Sequence, residues 1–197
     1  MKEKGLTQEI EQKFLVQDVN TYNALLNEVQ SQNSLNGSGA ILKINNIEQA
    51  YMVIDPVALA VWRVRITTQS GLPESGKAVW TYKKGTDNPE QRDEEESVMD
   101  IDQAKRLINS SSRVIKKTRT VFEYKGNIFE LDRFHDELDG LFLLEVEKDS
   151  TSKKIVLPLC ISASDEVTDK EEYRNDFLAM KVENIKKSKD GLKKHKP

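Results

Sequence analysis

The sequence predicts an α+β fold: an eight-stranded antiparallel β-barrel with a polar, charged lumen and helices packed outside. Three observations carry this. Segment after segment alternates charged and apolar residues with the period of two that belongs to strands. Loop chemistry separates them, as in Ser70-Gly-Leu-Pro-Glu-Ser-Gly76 and Gly85-Thr-Asp-Asn-Pro89. Three stretches show helical spacing instead, about the number needed to cover the outside of one barrel.

The elements follow in order. Gln8–Val16 reads as the first strand. Asp18 to Gln30 puts Val19, Tyr22, Leu25, Leu26 and Val29 on one helical stripe with Asp18 as N-cap, and residues 31–39 read as loop by composition. Ile47 to Val98 holds short strands and turns. Asp100 to Asn109 is a short helix with an acidic cap and Gln103 at the capping-box position. A strand from Arg113 to Tyr124 turns at Lys125-Gly126-Asn127 into Ile128–Phe134, and Leu141–Lys148 ends the β region. Asp169 to Lys187 reads as a helix carrying Tyr173, Phe177 and Met180 on one side. From about residue 186 the chain is a polar, basic, flexible tail.

At 197 residues the chain suits one domain spanning 1–197, large enough to bury a core. Lys+Arg 30 against Asp+Glu 33 gives a net charge of −3, which argues against a nucleic-acid coat protein. Cys160 is alone, which suits a reducing compartment, and its apolar neighbours suit a buried small residue rather than a nucleophile. No apolar run is long enough to span a bilayer and none near Met1 resembles a secretory signal, so a cytoplasmic protein is expected. His135 and His195 stand apart from any ligand partner and read as surface residues, and Trp62 and Trp80 as packing beneath the outer helices.

The chemistry lies in the charged rows. Glu9, Glu11 and Lys13 share one face of the first strand; Arg63 and Arg65, Lys117 and Arg119, Glu130 and Asp132, and Glu145 and Glu147 do the same on later strands. Any one pair is an ordinary solvent-facing strand. Together they differ, because one sign dominates each row and adjacent like charges repel without counter-charges nearby. Turned inward, the rows line a lumen with acids on one arc and bases on another, leaving Ile10, Phe14, Trp62, Val64, Leu131 and Val146 outside for helices to cover. Carboxylates suit hard cations such as Mg2+ or Mn2+, and Arg and Lys suit phosphate oxygens. The combination points to metal-assisted phosphoryl transfer on a polyphosphate group.

With these motifs in this order, the chain resembles the CYTH, or triphosphate tunnel metalloenzyme, superfamily over roughly Gln8 to Ala179. The matching motifs are Glu9/Glu11/Lys13, Arg63/Arg65, Lys83, Arg92/Glu94/Glu96, Lys117 to Arg119, Glu130 to Asp132 and Glu145 to Glu147. Within it the compact bacterial inorganic triphosphatases are the most similar, through Gln49-Ala-Tyr-Met52, Glu166-Val-Thr168 and Tyr173-Arg-Asn175. The resemblance implies an eight-stranded antiparallel tunnel that hydrolyses or rearranges triphosphate groups with a divalent metal. It implies Glu9, Glu11, Asp132, Glu145 and Glu147 as metal carboxylates. It implies Lys13, Arg63, Arg65, Lys83, Arg92, Lys117, Arg119 and Arg174 as triphosphate ligands, with Lys13, Arg63, Lys83, Glu94 and Glu96 taking part in catalysis and Glu130 supporting. Two positions depart from the family pattern: Glu172 stands where a basic residue is usual, with Arg174 or Lys170 as replacement, and Val61 where an acid often precedes Arg63. The expected substrate is inorganic tripolyphosphate, cleaved to pyrophosphate and phosphate, and no membrane partner is expected. The alternatives are a class IV adenylate cyclase, a thiamine or nucleoside triphosphatase, and a non-catalytic polyphosphate- or nucleotide-binding module.

Overall fold

Strands β1 (Thr7–Val16), β2 (Ala40–Asp55), β3 (Ala60–Gln69), β4 (Lys77–Gly85) and β5 (Gln91–Met99) are followed by β6 (Val114–Tyr124), β7 (Asn127–Phe134) and β8 (Phe142–Glu147). Helices α1 (Val19–Asn36), α2 (Ile101–Ser110) and α3 (Asn175–Lys194) stand between and after them. This computed structural model describes residues 7–36, 40–55, 57–58, 60–72, 76–85, 91–151 and 153–194, with 7–9, 33–36, 91–92 and 192–194 described by backbone alone. The strands form a closed antiparallel barrel in the order β1-β5-β4-β3-β2-β6-β7-β8.

Closure depends on β1 serving two neighbours. Its first half, Thr7 to Ile10, pairs with β5, and its second half, Glu11 to Val16, pairs with β8. Residues 166–168 occupy the edge of that second half: the Val167 N–H donates to the Lys13 carbonyl at 2.8 Å, and the Lys13 N–H to Thr168 Oγ1 at 3.0 Å. The β6–β7 hairpin turns at Lys125 and Gly126, both with positive φ, the conformation a two-residue hairpin loop of this hand requires.

The helices cover faces that the alternation leaves apolar. Tyr22, Leu25 and Val29 of α1 pack on Phe14, Phe122, Phe129, Leu131, Leu144 and Val146 outside the barrel. Ala104 and Ile108 of α2 pack on Ala50, Val64, Ile66 and Ala78. Both N-caps operate, with Asp18 accepting from the Thr21 N–H and Asp100 from the Gln103 N–H, each at 2.8 Å. Leu178, Ala179 and Val182 of α3 join Tyr51, Val61, Ile115, Phe134 and Leu143 in a third core. Val61, Ile115, Phe134 and Leu143 have the inward parity of Arg63, Lys117, Asp132 and Glu145, so α3 covers one end of the lumen.

Several expectations shift. Helix α1 runs through residues that read as loop, Ser31 Oγ bonding back to the Asn27 carbonyl at 2.7 Å. Strand β2 begins at Ala40 because β6 offers it a pairing edge that composition does not reveal. Helix α3 begins at Asn175, since the preceding residues are committed to β1 and to a short turn at Glu171–Tyr173. Trp80 packs with the α2 core as expected, but Trp62 lies beyond the reach of α2, 46% exposed and stacked on Trp80 at 5.3 Å. His135 is half-buried against Thr118 Oγ1 at 2.8 Å, and His195 lies outside the described residues. Among the described residues no helix is long and apolar enough to cross a membrane.

Candidate active site in the barrel lumen

Two connected cavities follow the charged rows. The one beside α3, about 220 Å3, is lined by the bases Lys13, Arg63, Arg65, Lys83 and Arg119. Its acids are Glu11, Glu94, Glu96, Glu130, Glu145, Glu147 and Asp176, and its remaining walls Tyr51, Val61 and Asn175. The second, about 370 Å3, shares Arg65, Glu96, Arg119 and Glu130 with the first. Strand parity explains much of the convergence: Glu11 and Lys13, Arg63 and Arg65, Glu94 and Glu96, and Glu145 and Glu147 each stand two positions apart on one strand and share its inward face.

Arg119 is the most heavily engaged cation. Its Nε and Nη2 donate to the two oxygens of Asp132, each at 2.6 Å, Nη2 also reaches Glu145 Oε2 at 2.6 Å, and Nη1 contacts Glu130. Behind it, Lys117 is fully buried, with Nζ 2.5 Å from Asp132 Oδ2. Burial, then the neighbouring Arg119 guanidinium, push the Lys117 ammonium down to about 7 against the pull of Asp132 and Glu145. Burial acts to lower Arg119 too, but Asp132 and Glu145 more than offset it and hold the guanidinium firmly charged. Burial likewise opposes ionisation of Glu145, and Lys13, Arg119 and Lys117 overcome it, holding the carboxyl well below its usual range. Lys13 Nζ sits 3.0 Å from Glu145 and 3.6 Å from Glu11.

Arg63 and Arg65 are held differently. Arg63 Nη2 lies 3.7 Å from Glu94, which also binds Lys83 at 2.9 Å, while Arg63 Nε is a buried donor with no hydrogen-bond partner. Such an orphan costs about 1–3 kcal/mol until an acceptor arrives. Arg65 donates through Nε to Gln49 Oε1 at 3.1 Å, and Gln49 in turn donates to the Tyr51 hydroxyl at 3.0 Å. Among the described residues no carboxylate forms an ion pair with Arg65. Burial and the like charges of Arg63 and Arg119 lower it to about 10. Glu96 accepts a long bond, 3.4 Å, from Thr81. On the α3 side, Asn175 Oδ1 is a buried acceptor without a partner.

The residues expected at the site therefore fall into groups. Glu11, Lys13, Arg63, Arg65, Lys83, Glu94, Glu96, Arg119, Glu130, Glu145 and Glu147 line one cavity. Lys117 and Asp132 lie beneath that lining, paired with each other, and Asp132 also holds Arg119. Arg174 pairs with Asp176 at 2.7 Å and lies over the Phe177 ring, so α3 presents Asn175 and Asp176 to the cavity instead. The side chains of Glu9 and Arg92 lie outside the described residues, although their backbones pair directly across β1 and β5. Gln49, Tyr51, Asn175 and Asp176 were missed as site residues. The alternation Gln49, Tyr51 beside the Arg63/Arg65 strand was the available signal, but neutral side chains carry no sign to sort.

No protein-family model matches the chain, and no curated protein matches it. Solved structures do. A crystal structure of NE1496, described as an inorganic triphosphatase, is 26% identical over 87% of this chain and 93% of that one, with a TM-score of 0.54. PH1012 from Pyrococcus horikoshii OT3 is 26% identical over 73% of this chain and 79% of that one, with a TM-score of 0.50. The chain shares this fold, and the order of its charged motifs is that of the CYTH superfamily. A protein from Pyrococcus furiosus shares the fold at 21% identity, with a TM-score of 0.52. The described CYTH motif residues thus lie in or directly beneath one lumen.

Proposed function

We propose that this protein is a divalent-metal-dependent triphosphatase acting on inorganic tripolyphosphate and releasing pyrophosphate and phosphate. The observation that carries the reading is the pair Arg63 and Arg65 in the lumen, the first buried with an orphaned N–H and the second half-buried with no carboxylate partner among the described residues. Guanidinium groups in that state are suited to phosphate oxygens. The likeness to NE1496, described as an inorganic triphosphatase, supports the same choice.

The donor chemistry fits a hard cation. Glu11 and Glu147 are direct partners across β1 and β8 and both line the cavity, which sets two carboxylates side by side as oxygen ligands for a hard cation. Among the described residues no three His, Cys, Asp or Glu side chains converge as a ready-made metal cluster. Mg2+ is commonly bound through one or two carboxylates plus substrate phosphates and water, so this pair could anchor one, with Glu145 on the same face of β8 as Glu147. When bound, such an ion neutralises charge on the phosphate oxygens.

The chain's own residues would do the rest. Lys13, Arg63, Arg65, Lys83 and Arg119 hold the triphosphate and stabilise the departing pyrophosphate. Water attacks the terminal phosphorus, the anhydride P–O bond breaks, and its electron pair leaves with pyrophosphate. The water's proton passes to a lumen carboxylate. Glu96 suits this better than Glu94, whose oxygens already bind Lys83 and Arg63. A panel of tripolyphosphate, ATP, thiamine triphosphate and pyrophosphate with Mg2+ or Mn2+, assayed for phosphate and cyclic AMP, tests the reading. Fast phosphate release from tripolyphosphate is expected; cyclic AMP as main product, or binding without turnover, would overturn it. A cytoplasmic location accords with the lone Cys160.

A further inference from the structure

The bases of the cavity beside α3 stand next to carboxylates, with one exception. Lys13 lies 3.0 Å from Glu145, Lys83 2.9 Å and Arg63 3.7 Å from Glu94, and Arg119 2.6 Å from Asp132. Arg65 differs: among the described residues its bond is to a neutral amide, Nε donating to Gln49 Oε1 at 3.1 Å. Register puts the amide there, since Gln49 is the direct partner of Arg65 across β2 and β3, and Tyr51 of Arg63. Gln49 is fully buried, and a buried amide is costly unless it is hydrogen-bonded. Its other end is bonded too, Nε2 donating to the Tyr51 hydroxyl at 3.0 Å. Turning the amide over would set its NH2 against the Arg65 N–H, donor to donor, so its orientation is fixed. Burial holds the Tyr51 phenol above its ordinary range, so both members of this relay are uncharged.

An arginine bonds through two edges, one that contains Nε and one made of the two terminal nitrogens. Gln49 takes Nε and leaves the terminal nitrogens for oxygens in the lumen. A carboxylate in its place would bond the same nitrogen but offset the charge that a phosphate meets. Gln49 lines neither cavity, so anything it does for a ligand it does through Arg65. We propose that Gln49 is a positioning residue of the triphosphate site, fixing the Arg65 guanidinium through an uncharged acceptor so that its terminal edge meets phosphate with no carboxylate in contact. The inference rests on the triphosphatase reading for the presence of a phosphate at Arg65.

The test measures calorimetric binding of tripolyphosphate, with chelator at low salt, to wild type, Gln49→Glu and Gln49→Met, each with Arg65 intact and in an Arg65→Gln background. Gln49→Glu keeps the acceptor and adds a charge; Gln49→Met keeps a similar volume and removes the acceptor. Each should weaken binding about tenfold where Arg65 is present and less than about twofold where it is absent. A merely structural role would cost the same in both backgrounds. In wild type the Arg65 Nε–H should also give a slowly exchanging signal in a proton–nitrogen correlation spectrum, a reading that does not depend on whether the Gln49 variants fold. Unchanged binding in both variants, equal losses in the two backgrounds, undetectable binding by wild type, or fast exchange of that N–H overturns the positioning role. Coupling as expected with no phosphate released from tripolyphosphate in Mg2+ overturns the triphosphatase reading and leaves the role standing; release without coupling does the reverse.

Discussion

Asp132 is fully enclosed and answers two cations, Lys117 and Arg119, with its two oxygens. Neutralising it in Asp132→Asn takes from buried Lys117 the carboxylate in direct contact with it, leaving only the more distant Glu145, and breaking a buried pair in this way costs about 3–5 kcal/mol. Chemical denaturation of the variant should show a loss of that size; near-normal stability would mean the bracket is not structural. Arg63 makes the opposite case, since its nearest acid is 3.7 Å away and its Nε has no partner. Arg63→Ala should therefore melt close to wild type yet lose about 10²–10³-fold in kcat, the usual effect of removing one preorganised donor. Period-two alternation made the sidedness of these residues legible, because it tells which face a side chain takes. It does not tell depth. Lys117 and Asp132 share the lumen's parity with Arg119 and Glu130 yet are fully buried, with the Phe134 ring 5.3 Å from Lys117 Nζ.

Helix α3 brings Asn175 and Asp176 to the cavity, and a clamp farther along fixes it to the start of β6. Glu183 accepts from Ser112 Oγ and Arg113 Nε, each at 2.9 Å, and pairs with Lys187 at 3.1 Å. The bonds from Arg113, Ser112 and Lys187 hold its carboxyl at about 2, below an ordinary 4.5. A carboxyl lowered on folding stabilises fully above its unfolded pKa and loses that contribution as pH falls through its folded one. Between pH 4.5 and 2, wild-type Tm should therefore fall more steeply than that of Glu183→Gln. Parallel slopes in thermal melts would show that the clamp does not hold α3. The start of this helix was not legible, because residues 166–168 are drawn into pairing with β1, a contact between distant parts of the chain that local spacing cannot reveal. The short helix α2, by contrast, starts one residue after its Asp100 cap as expected, since capping is a local bond.

For the molecule as a whole, the barrel is held by its own strand pairing and by three apolar cores, none of which contains the lumen acids. Stripping divalent metal with EDTA should therefore abolish phosphate release while leaving the far-UV circular dichroism unchanged, and restored Mg2+ or Mn2+ should recover activity. Activity that persists in chelator would remove the metal from the proposal. The fold class was readable because one-signed charged rows make sense only around an enclosed space. The order of strands was not, because neighbours such as β2 and β6 lie far apart in the chain. The divided loyalty of β1 has its own consequence for how the protein is made. Its second half is synthesised early but finds its mate only when residues 142–147 have left the ribosome. Such distant pairing makes for slow folding, and a nascent chain cut short before that point can possess every other hairpin without enclosing anything.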